Sequence, residues 1–438
     1  METLSPQVHS WGDAGGRVLK QDVQETFALA ERRAKEGKPP ATPPKQILQY
    51  LVRMGSFTSV PAVREDVQDA DFEVGSIASR DSLLNRCIGE LPPGPGLITR
   101  NFVVFKSREN KAENFDGAKS LLSSPRSMLG DKSHPVIPEN PTVSSSSSIP
   151  HIPPQKSDTF RILTWNILAQ ALAVEHDNFV GLPDGTLNWT ERRLRILHEI
   201  LLYNPDVICL QEVDHFNFLN KCLVPLGYRG VFCSKPDSPC IYLRNNNGPD
   251  GCALFYRKEK FDLMVASSRV LEIWRVQSNQ VCIFAQLSVR ATGQQFCVAT
   301  THLKARQGAL LATMRNEQGK DVSSYLTACG GGGSKPLVLC GDFNAVPSEA
   351  VISTIKSRLS VESAYSKLYN NDEAPYTTWK VRGDGEYCHT LDYIFHNKHL
   401  DVESVLLLPT EEQVGPSRLP NLRYASDHIA IACDLRIK

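Results

Sequence analysis

Two stretches decide the architecture: Phe160-Arg161-Ile162-Leu163-Thr164-Trp165-Asn166, and Pro205-Asp206-Val207-Ile208-Cys209-Leu210-Gln211-Glu212. The first alternates as a strand does and runs out in the polar Asn166. The second holds a short apolar run of the kind found in buried strands, and it runs out in Gln211 and Glu212. Between them, Trp189 to Leu202 repeats apolar residues at helical spacing, with Leu194, Leu197 and Leu201 on one stripe and Asn188 or Thr190 placed to cap it. Further strands are expected at 253–256, 281–289, 296–303, 336–340, 391–395 and 429–435, with a helix containing Met314 to Leu326. Strands interrupted by single helices predict a two-sheet α/β sandwich with helices outside, spanning 158–438.

The 438 residues are 41% hydrophobic and 22% charged, ordinary for a soluble globular chain, and the formal net charge is zero. A zero balance argues against a broad basic surface for long nucleic acids, while leaving room for a local basic pocket. The first twenty residues hold no continuous apolar core of a secretory signal, and Glu2 and Asp13 fit poorly with a mitochondrial transit peptide. No apolar run approaches the roughly 18 residues of a membrane span. The expectation is a monomer in the cytoplasm, with the nucleus also open. Twelve cysteines include no Cys-x-x-Cys pair and lie mostly in apolar runs, so buried reduced thiols are expected rather than a disulfide or zinc framework.

Residues 1–157 have a different texture. Gln21 to Glu36 reads as a charged helix with Phe27, Leu29 and Ala30 on one face, ended by Gly37 and Pro39-Pro40, and Gln46 to Met54 as a second small helix. Pro135 to Pro154, rich in Pro and Ser, is expected to be a linker, because it cannot bury enough apolar surface to offset its ordering entropy. The whole region is expected to be largely flexible.

The chemistry sits where the expected strands run out, where loops on a scaffold usually carry reactive groups. These positions are Asn166, Glu212, His302, the Gly341-Asp342-Phe343-Asn344 turn, Asp392, and Ser426-Asp427-His428. Each alone could be an ordinary strand end or turn; together, in this order, they form a phosphoester-hydrolysing set. Glu212 and the amide oxygen of Asn166 suit a hard cation such as Mg²⁺. Asp342 can deprotonate an attacking water, and Asn344 can donate to the transferring phosphoryl group. His428 can donate to a phosphoryl oxygen if Asp392 fixes its other ring nitrogen, and His302 can act from the opposite side. No Ser or Cys nucleophile motif is present, which fits direct attack by water.

This set resembles the endonuclease/exonuclease/phosphatase superfamily. Trp165-Asn166-Ile167-Leu168-Ala169-Gln170, Pro205 through Asp214, Asn246 through Phe255, Thr301 through Arg306 and Thr410 through Pro420 are similar to its deadenylase branch. The likeness covers roughly Phe160 to Leu435, with a fainter extension back to Ser82–Phe102. It implies that family's two-sheet sandwich, a Mg²⁺ cofactor, and removal of the 2′-phosphate of NADP⁺ and NADPH in metabolic or circadian regulation. Alternatively, it implies 3′-exonuclease action on poly(A), or a weakly catalytic adaptor with mRNA or RNA-decay partners. It also implies that Lys235, Lys304 and Arg306 gather the nucleotide phosphates and that Pro236 and Asn279 contact substrate. One departure stands out: Lys235-Pro236 is followed by Asp237 where the resemblance predicts an aromatic residue.

Overall fold

The computed structural model describes residues 20–52, 72, 79–105, 150–154, 158–244, 246–330, 333 and 335–438. The first sheet has seven strands in the order β1 (Phe102–Val104), β14 (Leu400–Leu406), β15 (Ile431–Ile437), β2 (Thr159–Asn166), β3 (Val207–Val213), β5 (Gly251–Arg257) and β4 (Tyr228–Ser234). The second has six, in the order β10 (Val361–Ser363), β13 (Asp392–Asn397), β9 (Leu337–Asp342), β8 (Gln295–His302), β7 (Val276–Val289) and β6 (Phe261–Ile273). A separate ribbon pairs β11 (Thr378–Arg382) with β12 (Gly385–His389). Each large sheet has one parallel pair at its centre, β2 with β3 and β8 with β9; every other pairing is antiparallel.

Period-2 side-chain alternation divides the core. Val281, Ile283, Val298, Val338 and Cys340 of the second sheet join Ile162, Cys209 and Leu254 of the first between the sheets. Their neighbours Cys282, Phe284, Ala299, Leu337 and Leu339 face outward into a second cluster with Val322, Leu326, Val351 and Ile355. The latter belong to α7 (Ala309–Ala328) and α8 (Ala350–Leu359). Here α1 is Lys20–Lys35, α2 Lys45–Val52, α3 Arg80–Gly89, α4 Gln170–Glu175, α5 Trp189–Tyr203 and α6 Phe216–Leu223. Asn188 caps α5, its side chain accepting from the Thr190 N–H at 3.2 Å. The buried Gln211 amide links the two sheets by donating to Thr164 Oγ1 at 3.1 Å and Thr300 Oγ1 at 2.9 Å. Gly341 has φ +141, and a β-carbon there would meet the Thr301 carbonyl oxygen at 2.0 Å. The first residue of the Gly-Asp-x-Asn turn is therefore set by the close approach of β8.

The described parts of residues 1–157 pack on this body. β1 extends the first sheet by pairing Phe102 with Leu406. His151 donates its backbone N–H to Asn101 Oδ1 at 2.7 Å; the remainder of the expected Pro/Ser linker, 135–149, lies outside the described residues. The first helix buries Val23 and Ala30, whereas Leu29 is 44% exposed. That corrects the expected face: Val23, Phe27 and Ala30 follow helical spacing, and Leu29 is turned away by about 100° from Ala30. Among the described residues no helix is long and apolar enough to cross a membrane.

Arg100 locks this region to the body. Its guanidinium donates to the Ala430 carbonyl at 2.7 Å and pairs with Glu199 of α5, which also accepts from the Tyr424 hydroxyl at 2.8 Å. Both charged groups are buried, so removing one strands the other. Arg100→Ala is expected to destabilise the fold by about 3–5 kcal/mol, read as a shift in denaturant midpoint. An unchanged midpoint would show that the pair carries no structural weight.

Candidate active site

Strand register assembles the site. In the first sheet Asn166 is opposite Gln211, placing Glu212 one residue further along the same rim. In the second, Asp342 has His302 opposite it on one side and Asp392 on the other. The central strands of both sheets therefore deliver their last residues to one rim. Glu212 and Asn344 both have left-handed backbone, at φ 54 and φ 50, so the chain turns sharply at both points.

The Asn166 amide nitrogen donates to Glu212 Oε1 at 2.9 Å and Asp342 Oδ2 at 3.0 Å, joining the two sheets. Its oxygen, expected to face a cation, accepts instead from the Leu168 N–H at 3.0 Å. A buried and a half-buried carboxylate so close are best bridged by a donor, which explains the orientation. Burial pushes Glu212 up to about 7, against the pull of Lys235. It pushes Asp342 up to about 6, against the attraction of His428. Asn344 donates its backbone N–H to Asp342 Oδ1 at 2.8 Å and its side chain to the Leu303 carbonyl at 3.1 Å.

The two histidines flanking Asp342 are in opposite states. His428 Nδ1 lies 2.9 Å from Asp392 Oδ2, which also accepts from Thr377 Oγ1 at 2.6 Å. Burial works against the imidazolium, but Asp392, Asp342 and Asp427 outweigh it and raise His428 to about 9. His302 Nε2 lies 3.5 Å from Asp342 Oδ2. Burial, helped by the charges of Lys235 and His428, holds it well below its ordinary value and hence neutral.

Around this centre lies a cleft of about 360 Å³, lined in part by Lys235, Asn279, Lys304 and Arg306. Lys235 Nζ pairs with Asp250 at 2.5 Å; burial opposes its charge, but Asp250 and Glu212 hold it above its ordinary range. Burial, then Arg306 and Lys235, push Lys304 down to about 7. Asn166 and Asp392 sit behind the cleft wall, and Pro236 is exposed and does not line it. Asp237 accepts from the Tyr242 hydroxyl at 2.8 Å, so its carboxylate is engaged at the cleft edge. Among the lining residues that were not singled out from sequence are the cations Lys380 and Arg382. Lys380 pairs with Asp427, and Arg382 with Asp177 at 3.0 Å. The available signal was the alternation Lys380-Val381-Arg382, which puts both cations on one face of the β11–β12 ribbon.

Residues 163–428 match the Endonuclease/Exonuclease/phosphatase family. The chain belongs to that family. It is 43% identical over 424 residues to nocturnin of Drosophila melanogaster, covering 90% of this chain and 62% of that protein. It is 48% identical over 285 residues to nocturnin of Xenopus laevis, covering 64% of this chain and 73% of that protein. The chain thus spans about three fifths to three quarters of the length of these relatives. Its fold matches the human nocturnin catalytic domain with bound sulfate anion at TM-score 0.55 and 42% identity, covering 64% of this chain and 95% of that one.

The family resemblance implies a divalent cation, and the donor set fits one. Glu212 and Asp342 offer hard oxygens, and both are raised toward their neutral forms by burial, which a cation's charge would relieve. Asp342, Asp392 and His428 also bring ligand atoms within 4.8 Å of one another. Both of Asp392's known partners converge on Oδ2, however, so this group is organised as a dyad that orients His428.

His428 binds its proton more tightly folded than unfolded. Its contribution to stability is therefore present below its ordinary value and lost as pH rises through about 9. Removing the Asp392 charge should lower the His428 titration midpoint by about a unit or more. Histidine ring NMR of wild type and Asp392→Asn measures this; an unmoved midpoint would break the pairing.

Proposed function

We propose that this chain is a Mg²⁺-dependent phosphatase that removes the 2′-phosphate of NADP⁺ and NADPH. The supporting observation is the cation group in the cleft wall. Lys304 is buried beside Arg306 and near Lys235, and burial, followed by the charges of those two neighbours, lowers it to about 7. Such a group calls for a compact, multiply charged anion, and a terminal phosphate monoester carries nearly two charges where a diester carries one. The cleft's size falls in the range of small-molecule sites, about 300–1,000 Å³. The bound sulfate in the human relative's structure, an anion of phosphate's size and shape, is consistent with this reading.

In this mechanism Glu212, with Asp342 beside it, would hold the cation, which would supply positive charge to the phosphoryl oxygens. Arg306 and Lys304 grip the phosphate, Arg306 by a fork that sets its orientation. Asp342 takes a proton from the water whose oxygen attacks phosphorus, while the P–O bond to the 2′-oxygen breaks on the opposite side and that oxygen takes its proton from solvent. Protonated His428, fixed by Asp392, donates to a phosphoryl oxygen as charge develops there. Asn344 adds a neutral donor, and neutral His302 flanks Asp342 from the opposite side. The products are NAD⁺ or NADH and inorganic phosphate.

The similarity to the deadenylase branch supports a second reading, exonuclease action on poly(A), and the two separate cleanly. Purified protein with magnesium is given NADPH or a short poly(A) oligomer, and release of phosphate and AMP is compared. The expected result is phosphate from NADPH, lost by orders of magnitude in Glu212→Ala and on chelation. Near-normal turnover by that variant at saturating magnesium would remove Glu212 from the metal site.

Arg306→Ala should reduce phosphate release roughly ten- to a hundredfold, the value of one charge-assisted contact. On a polymer whose charge is spread over many phosphates, the same change costs little and activity falls steeply with salt. Robust, salt-sensitive AMP release with no phosphate from NADPH would overturn the phosphatase in favour of the exonuclease.

A further inference from the structure

The loop from Leu303 to Gly308 carries two of the cleft cations and must then start α7. Arg306 has left-handed backbone at φ 80, a conformation that a side chain disfavours and that persists only where neighbours hold it. The near end of the loop is held by two buried side chains of α7. Gln318 Oε1 accepts from the Lys304 N–H at 2.9 Å, and Arg315 donates to the carbonyls of Lys304 at 3.0 Å and Arg306 at 2.7 Å. Arg315 is itself gripped by Glu349.

The far end is held by a different part of the chain. Gly308, the residue before α7, supplies no side-chain cap. Glu31 of α1 fills that role, its Oε1 accepting from the Ala309 N–H at 2.8 Å. Beneath it, Val23, Ala30, Leu48 and Leu51 form an apolar cluster with Leu310, Leu311, Met314 and Ile273. Tyr50 of α2 is close enough to Arg306 for that charge to oppose the upward push of burial on its phenol. Thus α1 holds the first turn of α7 immediately behind the loop that presents Arg306, and α2 packs beside it on β7 and shares the same apolar cluster.

We propose that the α1–α2 segment is a positioning element of the active site, holding the 303–308 loop in the conformation that aims Arg306 at an anionic substrate. The inference rests on reading the cleft as a phosphate site. Glu31 is exposed and lies outside the cleft lining; it acts through the helix end, while the apolar cluster anchors the segment. Releasing the segment frees the loop, and Arg306 relaxes out of its left-handed conformation. Substrate affinity falls, whereas the groups on the strand ends stay in place, so KM rises and kcat holds. A purely structural loss does the reverse: fewer folded molecules lower apparent kcat and leave KM alone.

The test uses the full chain with Glu31→Ala and Leu51→Asp, each also made in an Arg306→Ala background. Amide exchange over 304–312 is followed alongside KM and kcat for phosphate release from NADPH. Both variants should speed exchange there and leave α8 unchanged. Glu31→Ala should raise KM about three- to tenfold, the range of a lost helix cap, and Leu51→Asp at least as much. Turnover should stay within about twofold. With Arg306 already removed, neither change should raise KM further, because both act through it. Glu31→Gln, which keeps an acceptor oxygen, should restore most of the affinity. Faster exchange with unchanged KM, or equal increases in both backgrounds, would overturn the proposal. If wild type instead releases AMP from a poly(A) oligomer, the substrate reading fails, and the same variants are compared on the oligomer. The exchange measurement stands independently of either substrate.

Discussion

One side-chain amide holds the active rim together. Asn166 donates to Glu212 in its own sheet and to Asp342 in the other, where the two parallel strand pairs end. Burying two carboxylates this close is unfavourable unless donors or a cation compensate. The fold compensates partly, with the Asn166 amide and the Ala169 and Asn344 N–H groups. Both acids remain raised, a residual cost that a bound cation or a proton would relieve.

The same rim sets two identical side chains in opposite states. His428 is surrounded by Asp392, Asp342 and Asp427 and keeps its proton, whereas His302 faces mainly burial and cations and loses it. Environment alone makes this distinction. Further out, Lys235 and Lys380 pair with Asp250 and Asp427, and Lys304 is lowered to about 7 by burial and then by the charges of Arg306 and Lys235. The β11–β12 ribbon completes the wall and is itself tied to the catalytic loop, with Ile429 donating to the Thr377 carbonyl at 2.7 Å and Thr378 Oγ1 to that of Asp427 at 2.8 Å.

Much of this was legible in the chain. Apolar runs ending in Asn166, Glu212, His302 and Asp342 mark strand ends, because a period-2 pattern that stops at a polar residue also stops the strand. Other strands were not expected: β11 and β12 are a half-exposed ribbon, β1 and β10 have three residues each, β4 and β6 lie at sheet edges with mixed exposure, and β14 interleaves apolar with charged residues. Leu29 was assigned to the wrong face of α1 because nearness in sequence is not nearness on a helix. Pro236 follows a buried lysine yet is exposed, because the chain turns at Pro236-Asp237 on leaving β4.

By itself the sequence determined which residue types are available for chemistry and that they stand at the ends of strands, because side-chain identity and local periodicity are properties of the chain. Only the tertiary structure decided which of them meet. Asp342 faces both His302 and Asp392 because β9 lies between β8 and β13, and Arg306 is supported by α1 because a helix some 270 residues earlier packs on α7. Protonation states follow the same division. Two histidines of equal intrinsic basicity diverge through burial and neighbouring charge, and both depend on contacts between parts of the chain that no local pattern connects.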